Sequence, residues 1–402
     1  MAAVTGRPSL RARVGSLIPG AGDIAFNRDR NRSVPSSRAP RGGYAKPSFV
    51  ERDPHVVVVP IEGPQFPDWR PGTRNFYFEA YQSAVEGLGP DSVSVLDVGP
   101  GEAPDSWHRR LLDLVHDVHA THIVTHIEHD PGSPDVWTWD VAWNRLAPSW
   151  DGALLGVMFD SAFDLVTMKS RRLARMSPGF VGIDICAPMD GVLVKGTPEV
   201  GPVTMPMSRQ SMELIDERLV NVVPEHDVSF IGALYPYRVQ LIESLRAEGI
   251  DVVVNPHRPD VTTDFEASRR NQPSWLDYMA GLAGSRMTVN FSRSSAGGFE
   301  QLKTRVIEAT VAGTFLLTDD RDRTREYFEP EVEYGYFADA GQLKSVVEKW
   351  SSEESKRREG ADRARVRARR IIGTDFWTRI DRGLERRRLP RLSGLRGSTS
   401  AV

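Results

Sequence analysis

The sequence has a single cysteine, Cys186, among its 402 residues, which excludes an intrachain disulfide framework and a cysteine-built zinc site. It has no uninterrupted apolar run near the roughly eighteen residues that a membrane-spanning helix needs. The opening stretch, MAAVTGRPSLRARVGSLIPGAG, lacks the continuous hydrophobic region of a secretory signal, because Arg11 and Arg13 interrupt it. The expected compartment is therefore the cytoplasm. Large apolar residues are scarce over 1–47, where Leu17, Ile18 and Phe26 stand isolated among Arg, Gly, Pro and Ser, so this stretch is expected to be a disordered arm.

The chain also lacks a strong overall charge, at −3, but its ends are basic. Residues 1–47 carry nine Lys/Arg against two acidic residues, and the far end carries Arg386, Arg387, Arg388, Arg391 and Arg396. Such tails can hold a protein to anionic lipid at the inner membrane face. Neither tail shows apolar periodicity or interleaved aromatics, so solvated tails are the simpler reading and no nucleic-acid partner is expected.

What is present is ordinary globular material, 40% hydrophobic and 26% charged, in a chain long enough for two cores. From His55 the apolar run VVVVP precedes a helix-like stretch over 75–88, and VSVLDVG, THIVTHIE, GALLGVMF and GFVGIDIC follow as further strands. Continuous apolar strands alternating with helices predict a parallel sheet covered on both faces. The pattern breaks over 206–226, around the short helix SMELIDERL, and restarts with DVSFIG, YRVQLIESLRAEG and IDVVV. The organisation expected is an arm over 1–47, a Rossmann-like domain over 48–205, a linker over 206–226, and a second Rossmann-like domain over 227–372. A crossover segment over 373–390, containing DFWTRIDRGLER, and a basic tail over 391–402 complete it.

The stretch richest in chemistry is GFEQLKTRVIEATVAGTFLLTDD, residues 298–320, in which seven residues separate Glu300 from Glu308. Loop, helix and buried strand follow one another here. A helix N-terminus offers free N–H groups to a diphosphate, and a carboxylate can accept both hydrogen bonds of a ribose or pyranose diol. EATVAGTFLLTD resembles the segment after the second glutamate in retaining family-four GT-B glycosyltransferases. DVSFIGALYPYR, SRMTVNFS and YFEPEVEYGYFADAGQLKSVV extend that resemblance over roughly residues 227–372, most closely to the CgeB-like, group-one subset.

The resemblance implies an α/β fold of two Rossmann-like domains facing across a cleft, and a glycosyltransferase of the hexosyltransferase class. Donor would be a UDP- or GDP-linked sugar and acceptor a glycan, a lipid-linked or a small molecule, with anomeric configuration retained and neither metal nor cofactor. By the same resemblance Glu308 would hold the ribose and Glu300 would lie near the donor sugar. Lys303 or Arg305 would face the phosphates, Gly232 would let backbone approach the donor, Arg238 could reach its diphosphate, and Asn290 would end a strand at the same edge. The chain departs from the pattern where ALYPYR replaces the usual Arg and Lys pair, and where GTDFWTR lacks a His before the final helix.

Other signals compete. LDVGPGEA, residues 96–103, resembles the first motif of an S-adenosylmethionine-dependent methyltransferase, although Ala103 and Pro104 stand where a further glycine and helix start belong. A sugar-nucleotide-binding protein without turnover is a third reading. In HDVHATHIVTHIEHD, His122, His126 and Glu128 would share one strand face while His129 points away, a spacing too long for direct chelation, so no metal site is expected. Asp160 follows a buried strand, as an acceptor contact or base, or as a helix cap. Trp137, Trp139, Trp143 and Trp150 could stack on a sugar, but packing is the commoner use.

Overall fold

The computed structural model describes residues 52–60, 69–98, 102–127, 146, 150–159, 161, 164–186, 199–256, 274–293, 300–319 and 321–392. Two parallel sheets organise them. The first contains β1 (Val56–Val58), β2 (Val93–Val95), β3 (His122–His126), β4 (Ala153–Met158), β5 (Phe180–Asp184) and β6 (Glu199–Val200), in the order β2-β1-β3-β4-β5-β6. The unbroken VVVV run has a direct cause: Val56 and Val58 enter one core with Phe76 and Val181, while Val57 and Val59 enter another with Trp107 and Leu154. A strand buried on both faces has no place for alternating polar residues. Helices α1 (Phe76–Leu88), α2 (Pro104–Asp117) and α3 (Asp164–Met176) accompany this sheet. Asn75 starts α1 by accepting the Tyr77 and Phe78 N–H groups at 3.0 and 3.2 Å.

The second sheet contains β7 (His226–Phe230), β8 (Val252–Val254), β9 (Ser285–Asn290), β10 (Phe315–Thr318) and β11 (Tyr334–Tyr336), in the order β11-β10-β9-β7-β8. Around it lie α4 (Arg209–Leu219), α5 (Pro236–Ala247), α6 (Trp275–Ala283), α7 (Thr304–Val311) and α8 (Ala340–Ser352). In both sheets the first strand of the domain lies beside its third, so strand order reverses between β1 and β3 and between β7 and β9. Ligands of open α/β sheets bind outside the carboxyl ends of the strands at such reversals.

Helix α9 (Glu354–Arg387) ties the two halves together. The crossover segment expected over 373–390 continues the preceding helix without a break as far as Arg387. Ala364, Ala368 and Ile372 pack in the second domain, and the same helix continues to bury Phe376, Trp377, Ile380 and Leu384 in the core of the first. Buried Asp381 then accepts Arg391 Nε at 2.8 Å and the Leu392 N–H at 2.9 Å, and the Pro390 carbonyl meets His122 Nε2 at 2.9 Å. The helix expected within 206–226 forms as α4 and packs against α6, with Ile215 and Leu219 in one cluster with Trp275 and Met279.

The α4 N-terminus is also held by α1. Buried Glu79 accepts the Ser208 N–H at 2.6 Å and Ser211 Oγ at 2.5 Å, and Glu86 accepts the Arg209 N–H at 2.9 Å. Free N–H groups and the positive end of the helix dipole attract both carboxylates. Burial nevertheless pushes Glu79 from 4.5 up to about 7, the serine hydrogen bonds offsetting only part of the desolvation. Between these values folded Glu79 holds a proton that the unfolded chain has lost. Its contribution to stability is therefore full below pH 4.5 and disappears as pH rises through about 7, a change on the order of 3 kcal/mol. Urea unfolding at pH 5 and pH 8 is expected to show the wild type less stable at pH 8, with the difference reduced in Glu79→Gln. An identical pH slope in that variant would remove Glu79 as its source.

Candidate functional site

The reversal between β7 and β9 is where the candidate residues converge. After β7 the chain turns at Gly232, with φ +147°, and its N–H donates to Asn255 Oδ1 at 2.9 Å. A Cβ there would stand 1.9 Å from Arg305 Nη2. Glycine is required both for the backbone conformation and for the approach of this guanidinium.

Arg305 lies in the first turn of α7 and is buried. Its guanidinium sits 4.9 Å from the Phe230 ring centroid and donates from Nη1 to Asn290 Oδ1 at 3.3 Å, whereas buried Nε has no partner among the described residues. Burial lowers its pKa first, Arg238 adds to that, and Tyr278 and Glu308 act in the opposite direction. A desolvated cation with an unused donor is costly in a core and is the expected feature of a place for an anion. The adjoining N-terminus of α7 contributes the same sign of potential.

Arg238, in the first turn of α5, braces the neighbouring loops. It donates to Tyr237 Oη at 2.8 Å and to the carbonyls of Ala233 at 2.9 Å and Arg293 at 3.3 Å, and lies 4.7 Å from the Tyr235 ring centroid. Its hydrogen bonds thus go to protein acceptors, while its charge adds to that of Arg305. Asn290 ends β9 and donates to Thr318 Oγ1 at 3.1 Å and Asp322 Oδ2 at 3.2 Å, which fixes the oxygen that Arg305 meets. Burial pushes Asp322 up to about 7, with Thr324 bonding and Lys303 acting against that shift and Asp319 adding to it. Lys303, the residue before α7, therefore reaches the field of this carboxylate. Glu300 is half-buried, accepts Arg321 Nη1 at 3.3 Å and raises the pKa of neighbouring Asp319, for which burial is the larger cause.

Glu308 occupies the other flank of α7. Its Oε2 accepts Tyr278 Oη at 2.8 Å, and its Oε1 meets Arg74 Nε at 2.8 Å. Burial first, then the negative charge of Glu308, pushes the Tyr278 hydroxyl well above its ordinary value. Ile185, Met207, Trp275, Leu302 and Ile307 line a narrow apolar crevice beside Glu308. Gly232, Arg238, Arg305 and Asn290 thus share one corner, Lys303 and Glu300 border it through the Asp319 and Asp322 loop, and Glu308 couples to Arg305 across Tyr278. Tyr278, Asn255 and Arg74 were not expected from the sequence. Asn255 had a signal, a polar residue directly after a buried strand; the others had none.

Asp160, Glu128, His129, Trp137, Trp139 and Trp143 lie outside the described residues. Trp150 is buried and donates from Nε1 to the Ala120 carbonyl at 2.6 Å, a packing role. His122 bonds Thr121 Oγ1 and the Pro390 carbonyl, and burial lowers its pKa to about 4. No group of three or more potential metal ligands occurs among the described residues. The strand preceding the methyltransferase-like turn, β2, is an edge strand away from the reversal, and residues 99–101 lie outside the described residues. No helix among the described residues is long and apolar enough to cross a membrane.

Residues 238–372 match the family model described as Glycosyl transferase-like. The chain is similar in structure to sucrose-phosphate synthase from Thermosynechococcus elongatus, with a TM-score of 0.50 and 13% identity, over 84% of this chain and 99% of that one. It is likewise similar to Anabaena HepE, solved in complex with UDP-glucose, with a TM-score of 0.51 and 11% identity, over 83% of this chain and 98% of that one. No curated protein sequence matches it. The architecture is that of GT-B, two Rossmann-like α/β domains, and the second half carries a glycosyl transferase-like domain.

Proposed function

We propose that the protein is a glycosyltransferase that moves a hexose from a UDP- or GDP-linked donor to a glycan, lipid-linked or small-molecule acceptor, with retention of anomeric configuration. The observation that carries this reading is Arg305: a buried guanidinium whose Nε has no partner among the described residues, pressed against Gly232 beside a helix N-terminus at the sheet's reversal point. The match of residues 238–372 and the UDP-glucose bound by HepE support the donor class.

In this reading Arg305, Lys303 and the α7 N-terminus receive the diphosphate, and Gly232 lets the backbone approach it. Arg238 supplies charge and stiffens the loops. Glu308 takes the ribose diol and Glu300 lies beside the donor sugar, while Asp160 in the first domain serves the acceptor as contact or base. As the acceptor oxygen bonds to the anomeric carbon, its proton passes to Asp160 or to the departing diphosphate, and the bond to the diphosphate oxygen breaks with the electron pair leaving on that oxygen. The cations stabilise the charge that grows on it, so the protein adds no metal or cofactor of its own. Closure of the two domains excludes water that would hydrolyse the donor.

Glu308→Ala is expected to weaken binding of UDP- or GDP-linked sugar by about 1.5 to 3 kcal/mol, the range for a hydrogen bond to a charged group. Calorimetry with both donors checks it, and unchanged affinity in a folded variant would remove Glu308 from the donor site. Release of nucleoside diphosphate on incubation with donor and candidate acceptors separates turnover from binding alone.

A further inference from the structure

Resting on the donor reading above, we propose that Arg74, from the first domain, is a positioning residue that covers the ribose-binding carboxylate until nucleotide displaces it. Arg74 belongs to the segment leading into α1, yet it reaches α7 of the other domain. Its Nε meets Glu308 Oε1 at 2.8 Å and its Nη2 donates to Thr304 Oγ1 at 2.7 Å, in the first turn of that helix. The guanidinium also lies 5.7 Å from the Tyr278 ring centroid.

This contact is built in. Arg74 has φ +58°, the left-handed region that a residue with a Cβ seldom adopts, and the turn is clamped on both sides. The preceding Gly72 N–H donates to Ser211 Oγ at 3.0 Å, and the following Asn75 caps α1. One turn on, Glu79 grips Ser208 and Ser211. The backbone is thus tied to the second domain around Arg74, and the left-handed turn delivers its side chain to Glu308.

The consequence follows from the inventory of the carboxylate. Each oxygen of buried Glu308 already has a charged or hydroxyl partner. Tyr278 is half-buried and belongs to the same domain as Glu308, so its bond moves with the carboxylate and can persist. The Arg74 side chain comes from the other domain and is 37% exposed, so it is the partner that can swing into solvent. Each oxygen could accept a second bond, but Glu308 is only 4% exposed beneath these partners, so a ribose diol reaches it by displacing Arg74 from Oε1. Ligands with a diol meet this competition at Oε1, whereas ligands with phosphates alone meet Arg74 only through its charge and its bond to Thr304. Arg74 would then lower affinity for nucleotide relative to pyrophosphate, and it links donor entry to release of an interdomain contact.

The test compares the full chain with Arg74→Asn and Arg74→Gly, two residues that accept the left-handed turn and cannot span to Glu308. Melting temperature establishes that each is folded. Calorimetry then measures UDP, GDP and inorganic pyrophosphate. The expected result, in both variants, is a three- to tenfold gain in affinity for the nucleoside diphosphate that the wild type binds, relative to the affinity for pyrophosphate. If the ratio of nucleotide to pyrophosphate affinity is unchanged or falls in both variants, Arg74 is a structural tie or a donor ligand and the proposal fails. If the wild type binds neither nucleotide nor pyrophosphate, the donor reading falls and this inference with it.

Discussion

A chain ending at Ile372 is expected to lose its folded N-terminal domain. That truncation removes Phe376, Trp377, Ile380, Leu384, Leu389 and Leu392, all buried in the core that contains Val56, Val58 and Phe76. Burying one large apolar side chain contributes roughly 1.5 to 3 kcal/mol, so these six together contribute about 9 to 18 kcal/mol as an upper estimate. Domains are stable by only about 5 to 15 kcal/mol, and the loss is of that size. The truncation also strips His122 of its Pro390 partner and exposes apolar surface beside β6. Near-ultraviolet circular dichroism and thermal melting of 1–372 against 1–392 check the expectation. A truncated chain that melts cooperatively at the wild-type temperature would show that the α9 extension is an accessory.

The second large effect is expected at Arg305. Replacing it with Met keeps most of the volume and removes the charge. Two charge-assisted bonds to a diphosphate, at about 1.5 to 3 kcal/mol each, give an expected loss of about 3 kcal/mol or more, beyond a hundredfold in Kd. Stability should not follow. A buried cation whose Nε lacks a partner costs free energy without ligand, and an apolar side chain of similar volume avoids that cost. The variant is therefore expected to melt at or above the wild-type temperature while losing the thermal shift that UDP, GDP or pyrophosphate produces. Full binding in a folded Arg305→Met chain would show that the diphosphate, if bound, goes elsewhere.

Much of the fold was legible because its cause is local. Runs such as VVVV and FLL are apolar at every position, since both faces of a parallel strand are covered. Gly249 and Gly313 closed their helices where the chain takes φ of +88° and +79°. The stretch around Glu308 was readable for the same reason: loop, helix start and strand follow one another in sequence. Where sequence misled, a distant partner was responsible. Gly373, Thr374 and Asp375 look like a helix end, but α9 runs through them because one half of it is buried in each domain. Asp375 also has a distant role, accepting the Thr204 N–H at 3.0 Å.

The sequence by itself therefore determined the two parallel sheets, the order of their elements and the stretch that bears the candidate chemistry, since apolar periodicity and turn residues act over a few neighbours. Tertiary structure decided which of the charged residues are spent and which are available. Arg238 and Arg305 read alike as helix arginines, yet one is bonded to Tyr237 and two loop carbonyls and the other is buried with an unpartnered Nε. Arg74 carries no motif and still reaches Glu308, 234 positions later in the chain. Whether a charge is paired depends on atoms within a few ångströms, and packing of the two domains brings those atoms from segments that the linear sequence keeps apart.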